Sequence, residues 1–234
     1  FSTTVTVTLT GEGLNPAAIT ISPPTVDFGD VSVGSSALRS VTVTNTGDVS
    51  SAVSTSSSNA AFAVAPSSFT LAGGASQAVN ISFSPTAAGT LQSTATFSIT
   101  GGSRAVALTG RGVTANYTYQ VGASPISPGG SVPFPATTVG ATSAFVPFEI
   151  RNTGPGAAAI NSIGSSSGVF VLDQLPALPA VVVAGGSLSF RIAFRPASPG
   201  PNTGALTIDG RTFSLSGNGV LSGVTFTGAG TTLQ

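Results

Sequence analysis

The chain has 234 residues, seven Arg, seven acidic residues, a net charge of zero and only 6% charged residues, against about 25% in an ordinary soluble domain. With no Lys, His, Cys, Met or Trp, it has no disulfide, thiolate, Schiff-base lysine, Lys–Asn isopeptide bond, P-loop lysine or histidine base. Scattered arginines at zero net charge exclude an electrostatic footprint for nucleic acid, and no apolar run is long enough to span a membrane.

From the first residues onward the period is two. Val5, Val7 and Leu9 alternate with Thr4, Thr6, Thr8 and Thr10, which predicts a strand with one buried and one solvated face. It closes on Leu9 to Gly13, LTGEG. Alternation resumes at Val41 and Val43, again at Val79, Ile81 and Phe83, and again at Leu188, Phe190, Ile192 and Phe194. Gly-Gly, Asn-Thr-Gly, Ser-Pro and Pro-Gly lie between these runs as turn signals, and no capped helical period exceeds about two turns. The pattern predicts an all-β protein of short strands.

The chain also repeats. FGDVSVG (Phe28 to Gly34) returns as FPATTVG (Phe134 to Gly140), and VTVTNTG (Val41 to Gly47) as FEIRNTG (Phe148 to Gly154). LAGGAS from Leu71 aligns with VAGGSL from Val183, FSPTAAG from Phe83 with FRPASPG from Phe194, and ALTGRG from Ala107 with SLSGNG from Ser214. Five ordered blocks at near-constant offset predict two copies of one domain of about 100 residues, a size suited to an immunoglobulin-like sandwich. The organisation read from this is an orphan strand over 1–14, domains over 15–113 and 114–220, and a strand-like tail over 221–234 carrying a degenerate FTGAG at Phe226 to Gly230. The offset drift places a longer loop in the second copy, between Ile160 and Ala184.

This ordered set of blocks resembles the ASH (ASPM–SPD-2–Hydin) group of immunoglobulin-like domains, in the version found in bacterial surface proteins of the choice-of-anchor D type. The resemblance covers roughly residues 20–220 and departs from the pattern at Pro135, where Gly is expected. It implies seven-stranded sandwiches used in tandem as structural or adhesive modules, with no catalytic residues to carry over.

The third L-T-G-x-G copy, at Leu9 to Gly13, has no domain before it. Three readings stand: a cut through a longer tandem array, a strand padding an edge of its own domain, and a strand donated to a neighbouring subunit, with Val5, Val7 and Leu9 contacting the partner sheet. For a donated strand, the burial of three apolar side chains and the ladder hydrogen bonds together roughly offset the cost of ordering the segment, so a durable polymer needs further contacts between domain faces.

Other candidates have plainer readings. Asp27 and Asp30 flank Phe28-Gly29 and could offer Ca²⁺ two carboxylates, but a turn is the preferred reading, because Ca²⁺ takes six or more oxygens. Asn80 and Asn116 head glycosylation sequons, Asn80 facing solvent by alternation. Gly47, Gly110, Gly154 and Gly217 read as turn or bulge positions needing positive φ. Tyr117 and Tyr119, between the repeats, read as packing at the domain junction. No cofactor, metal or catalytic set is expected. The expected function is that of a secreted, cell-surface structural protein that self-associates into a homopolymeric filament, fibre or stalk and can carry covalent glycans. An adhesin using loops such as Gly164 to Pro179, and a phage or virion decoration domain, are the alternatives.

Overall fold

The computed structural model describes residues 1–223. Contacts divide the chain into two compact units, which meet in sequence at Val113 and Thr114. The described residues contain strands and turns only, and none of their helices could cross a membrane, since there are none.

The first unit has nine strands: β1 (Ile19–Ser22), β2 (Thr25–Ser32), β3 (Ala37–Asn45), β4 (Ser51–Ser57), β5 (Phe62–Ala65), β6 (Ser68–Leu71), β7 (Ser76–Phe83), β8 (Gly89–Ile99) and β9 (Gly102–Val113). They form a sheet of order β1-β3-β7-β5 and a second of order β2-β9-β8-β4-β6. Seven strands become nine for two reasons. The opening strand divides at Pro23-Pro24, so that β1 pairs β3 in one sheet while β2 runs parallel to β9 in the other. The stretch 62–71 divides at Pro66-Ser67, putting β5 beside β7 and β6 beside β4.

Alternation sets the core. Val41 and Val43 of β3, Val79 and Ile81 of β7, and Val106 and Leu108 of β9 are all buried, with Thr42, Asn80 and Ala107 between them exposed. At one end Phe62 stacks on Phe83 at 4.5 Å between centroids, and Phe28 leans on both.

The second unit follows the same plan with β10 (Tyr117–Val121), β11 (Ser124–Ile126), β12 (Ser131–Pro133), β13 (Thr137–Thr138), β14 (Val146–Asn152), β15 (Ala158–Ile160), β16 (Ile163–Ser165), β17 (Phe170–Asp173), β18 (Ala180–Val182), β19 (Ser187–Phe194), β20 (Gly200–Ile208) and β21 (Arg211–Val220). Its sheets run β11-β10-β14-β19-β17 and β12-β21-β20-β16, with β15 and β18 paired apart. Phe134, Phe170 and Phe194 repeat the aromatic cluster.

Local departures have local causes. Gly29 holds φ at +66° and lets β2 continue through a register shift between Asp27 and Asp30. Proline cannot adopt that φ, and at Pro135 the corresponding strand breaks into β12 and β13, both still parallel to β21. The extra loop of the second copy runs over 174–179, between β17 and β18, where the first copy has only Pro66-Ser67.

The expected strand over 1–14 does not form within this chain. Residues 1–18 lie in no strand and residues 1–16 are all exposed, so the segment does not pad its own domain. A strand needs a neighbour for its backbone groups, and none is offered to it here. Of the expected tail, FTGAG lies outside the described residues.

Candidate functional site

The five sequence blocks gather into two clusters, one at each end of each sandwich. The first is built around Asn45, fully buried at the end of β3. Its Oδ1 accepts from Gly47 N at 3.1 Å and from Ala18 N at 3.2 Å. Its Nδ2 donates to Val49 O at 2.8 Å and reaches Leu71 O and Ala72 O at 3.3 Å. One side chain thus ties the incoming chain, the turn after β3 and the turn after β6. A buried amide is tolerable only when satisfied in this way.

Asn152 does the same in the second unit. It too is fully buried. Oδ1 accepts from Gly154 N and from Asn116 N, both at 3.0 Å. Nδ2 donates to Gly156 O at 2.7 Å and to Val182 O at 3.0 Å. In each clip the incoming chain crosses the glycine so closely that a side chain would be blocked: at Gly47 by the Pro16 carbonyl, at Gly154 by Asn116 N at 2.5 Å and Thr114 O at 2.6 Å. Asp48 adds a second tie in the first unit, accepting from Asn15 N and Asn15 Nδ2.

The clips also fix the alignment of the Gly-Gly blocks. Gly74 N donates to Asn45 O at φ +73°, and Gly185 N donates to Asn152 O at φ +72°. The equivalent residues are therefore Leu71 and Val182, Gly74 and Gly185, one place away from the sequence alignment of Leu71 with Val183.

The second cluster joins three blocks. Phe83 of F-x-P lies over Gly110 of L-T-G-x-G, where a Cβ would stand 2.6 Å from Cε1. Gly112 faces the Ala87 carbonyl and Pro85. Gly34 N donates to Pro85 O and Val33 N to Val113 O. In the second unit Phe194 lies over Gly217, Gly219 faces the Ser198 carbonyl and Pro196, and Gly140 N donates to Pro196 O. The positive φ expected at Gly47, Gly110, Gly154 and Gly217 is found at none of them. These glycines are present because another part of the chain occupies the space a Cβ would need.

The five aspartates serve turns and pairs. Asp27 accepts from Gly29 N and Thr109 Oγ1, and Asp30 pairs with Arg111 at 2.9 Å, so this is the bulge of β2. Asp173 pairs with Arg191, which also lies over the ring of Phe145. Asp209 accepts from Asn161 N and Ser162 N. Among the described residues no three His, Cys, Asp or Glu side chains gather as a metal site.

Tyr119 lies in the second unit's own core, and Tyr117 packs half-buried against it. Tyr119 is buried against Phe148 and Phe213, and Tyr117 donates its hydroxyl to Ala158 O at 2.8 Å. They stand two apart on β10 and so share its inward face. Asn80 and Asn116 are exposed, and Asn116 Nδ2 reaches Thr153 Oγ1 at 3.4 Å. Val5, Val7 and Leu9 are exposed by 83%, 73% and 91% and meet no sheet among the described residues.

Residues 17–113 match the family described as HYDIN/CFA65/VesB-like, Ig-like domain. The first domain is similar to this immunoglobulin-like family. Solved structures similar to the chain include the ASH/PapD-like domain 7 of human CEP192 (17% identity, 49% of this chain and 99% of that one, TM-score 0.38). A protein of unknown function from Porphyromonas gingivalis W83 (14%, 86% and 99%, 0.38) and the E. coli chaperone DraB (15%, 86% and 97%, 0.35) are also similar. No curated protein gives a significant match. The second unit repeats the plan of the first: the same clip, the same aromatic cluster and the same paired glycines.

Proposed function

We propose that the chain is an extracellular structural protein, a subunit or segment of a cell-surface filament, fibre or stalk built from ASH-like sandwiches in series and joined in part by strand donation. One observation carries the reading. The clip that seats the segment leading from β9 into the second unit, at Asn116, is repeated at Ala18, where it seats the segment leading from residues 1–14 into the first. The chain therefore enters its first domain as a last strand enters the next domain of an array. Exposed Val5, Val7 and Leu9 supply the apolar face such a strand needs.

The assignment of all five aspartates to turns and pairs favours a non-catalytic role, and the low charge leaves domain faces with little mutual repulsion. Self-association is the expected partner relation, and exposed Asn80 and Asn116 suit glycan attachment. Electron microscopy of the material from its natural source tests this. Filaments or stalks with a repeat of sandwich-sized beads are expected. Deleting residues 1–12 should leave both domains folded, by circular dichroism and melting, yet abolish polymer formation. Unchanged filaments from the deleted chain would remove strand donation from the reading.

A further inference from the structure

We infer that residues 5–14 are a last strand with a defined register, made for an acceptor sandwich that lacks its own last strand and carries no acid at the position of Asp30. This rests on the strand-donation reading above and adds the register, the contacts and the class of acceptor.

Setting Gly11 and Gly13 on Gly110 and Gly112, or on Gly217 and Gly219, aligns Val7 with Val106 and Phe213, Leu9 with Leu108 and Leu215, and Leu14 with Val113 and Val220. In β9 and β21 the first two of these stations are buried. Val5 then falls on exposed Arg104 and Arg211, at the strand's start.

The glycines decide the register. A glycine inside a strand weakens it unless something approaches closely. Gly110, Gly112, Gly217 and Gly219 each have that reason, since an aromatic ring or a carbonyl blocks the Cβ position. Around Gly11 and Gly13 there is nothing within 4 Å. The spacing needed to fit an F-x-P corner is present, and no such corner in this chain uses it. Both F-x-P corners of the chain already hold their own last strands.

Glu12 selects between acceptor types. Its station is Arg111 in the first domain, which pairs with Asp30, and Asn218 in the second, where Ala136 stands at the position of Asp30. An acceptor of the first kind would set Glu12 against a like charge; one of the second kind would not.

Two variants test this. In one, residues 211–220 are replaced by the sequence of residues 5–14. It should unfold cooperatively, with a midpoint within about 5 °C of the single variant Phe213→Val, which carries the same loss of a buried ring. The same transplant into 104–113, which keeps Val and Leu at the stations of Val106 and Leu108, should melt below the parent, and carrying Glu12→Arg in the transplanted segment should recover most of that loss. A first transplant that melts well below Phe213→Val, or a second that Glu12→Arg does not rescue, overturns the proposal. In the other variant the chain stops at Gly210, leaving the second sandwich open. Light scattering should show head-to-tail association that is lost with Gly11→Val and Gly13→Val; association indifferent to both glycines overturns the register. Native material without filaments would count against the proposed function while leaving the transplant result intact.

Discussion

The ring of Phe83 occupies the space a side chain at Gly110 would need, and Phe194 stands in the same relation to Gly217. Both pairs lie where F-x-P meets L-T-G-x-G, two blocks that look independent in sequence. Replacing Gly110 by Ala should therefore cost about 1–3 kcal/mol, the range for forcing extra carbon into a packed core. Urea unfolding would measure it. Phe83→Leu with Gly110→Ala should cost less than the sum of the two single changes, because the ring that clashes is gone. Gly29→Ala offers a contrast. Its surroundings are open, but its φ of +66° is unfavourable for a side chain, so a loss of about 1–2 kcal/mol is expected with no partner able to relieve it.

Asn45 should be among the least replaceable residues of the first domain. Asn45→Ala orphans the carbonyl of Val49 and two amide donors at once, and about 3 kcal/mol of stability should be lost. Asn45→Asp is the sharper test. A carboxylate there would be buried facing carbonyl oxygens, so its folded pKa should rise above the unfolded value of about 3.9. Stability conferred by the neutral acid is then present below that value and lost as pH rises through the folded pKa. The variant should melt higher at pH 3.5 than at pH 7 relative to the parent, and a flat difference would show that the site tolerates charge.

The all-β class was legible because Thr and Ser alternate with Val, Ile, Leu and Phe, and the repeat because its blocks keep their order. The partnerships between blocks were not, since Asn45 meets Leu71 and Phe83 meets Gly110 across sheets, and spacing along the chain does not encode that. Two adjacent glycines let the alignment slip by one; only the bond from Gly74 to Asn45, matched by Gly185 to Asn152, resolves it. Close approach and positive φ both select glycine, so sequence alone could not separate Gly110 from Gly29. For the tyrosines, position between repeats outweighed parity, whereas parity on β10 puts Tyr119 inward.

Asp27 makes a titration prediction of the ordinary carboxylate sign. The hydrogen bond from Gly29 N, and then that from Thr109 Oγ1, lower its pKa below the usual 3.8. The bulge contact should be present above the unfolded value and lost as pH falls through the folded one. Carboxyl NMR should place Asp27 below 3.8, and Thr109→Val should move it upward. A position unchanged by Thr109→Val would mean that the hydroxyl bond is not formed in solution.

Tyr119 makes a prediction of the opposite sign. Its hydroxyl is buried and finds no hydrogen-bond partner among the described residues, and burial raises its pKa above 10.0. A tyrosine that resists ionisation when folded binds its proton more tightly than in the unfolded chain. Stability should therefore be fully present below about pH 10, then lost as pH rises through the folded pKa. Tyr117, raised by burial first and by Asp209 second, adds to the same fall. Tyr119→Phe removes the unpaired hydroxyl and leaves the ring against Phe148 and Phe213, so it should be neutral or stabilising by up to about 1 kcal/mol at pH 7. Melting curves from pH 8 to 11 should show the variant declining less than the parent. An equal decline would assign the alkaline loss to Tyr117 alone.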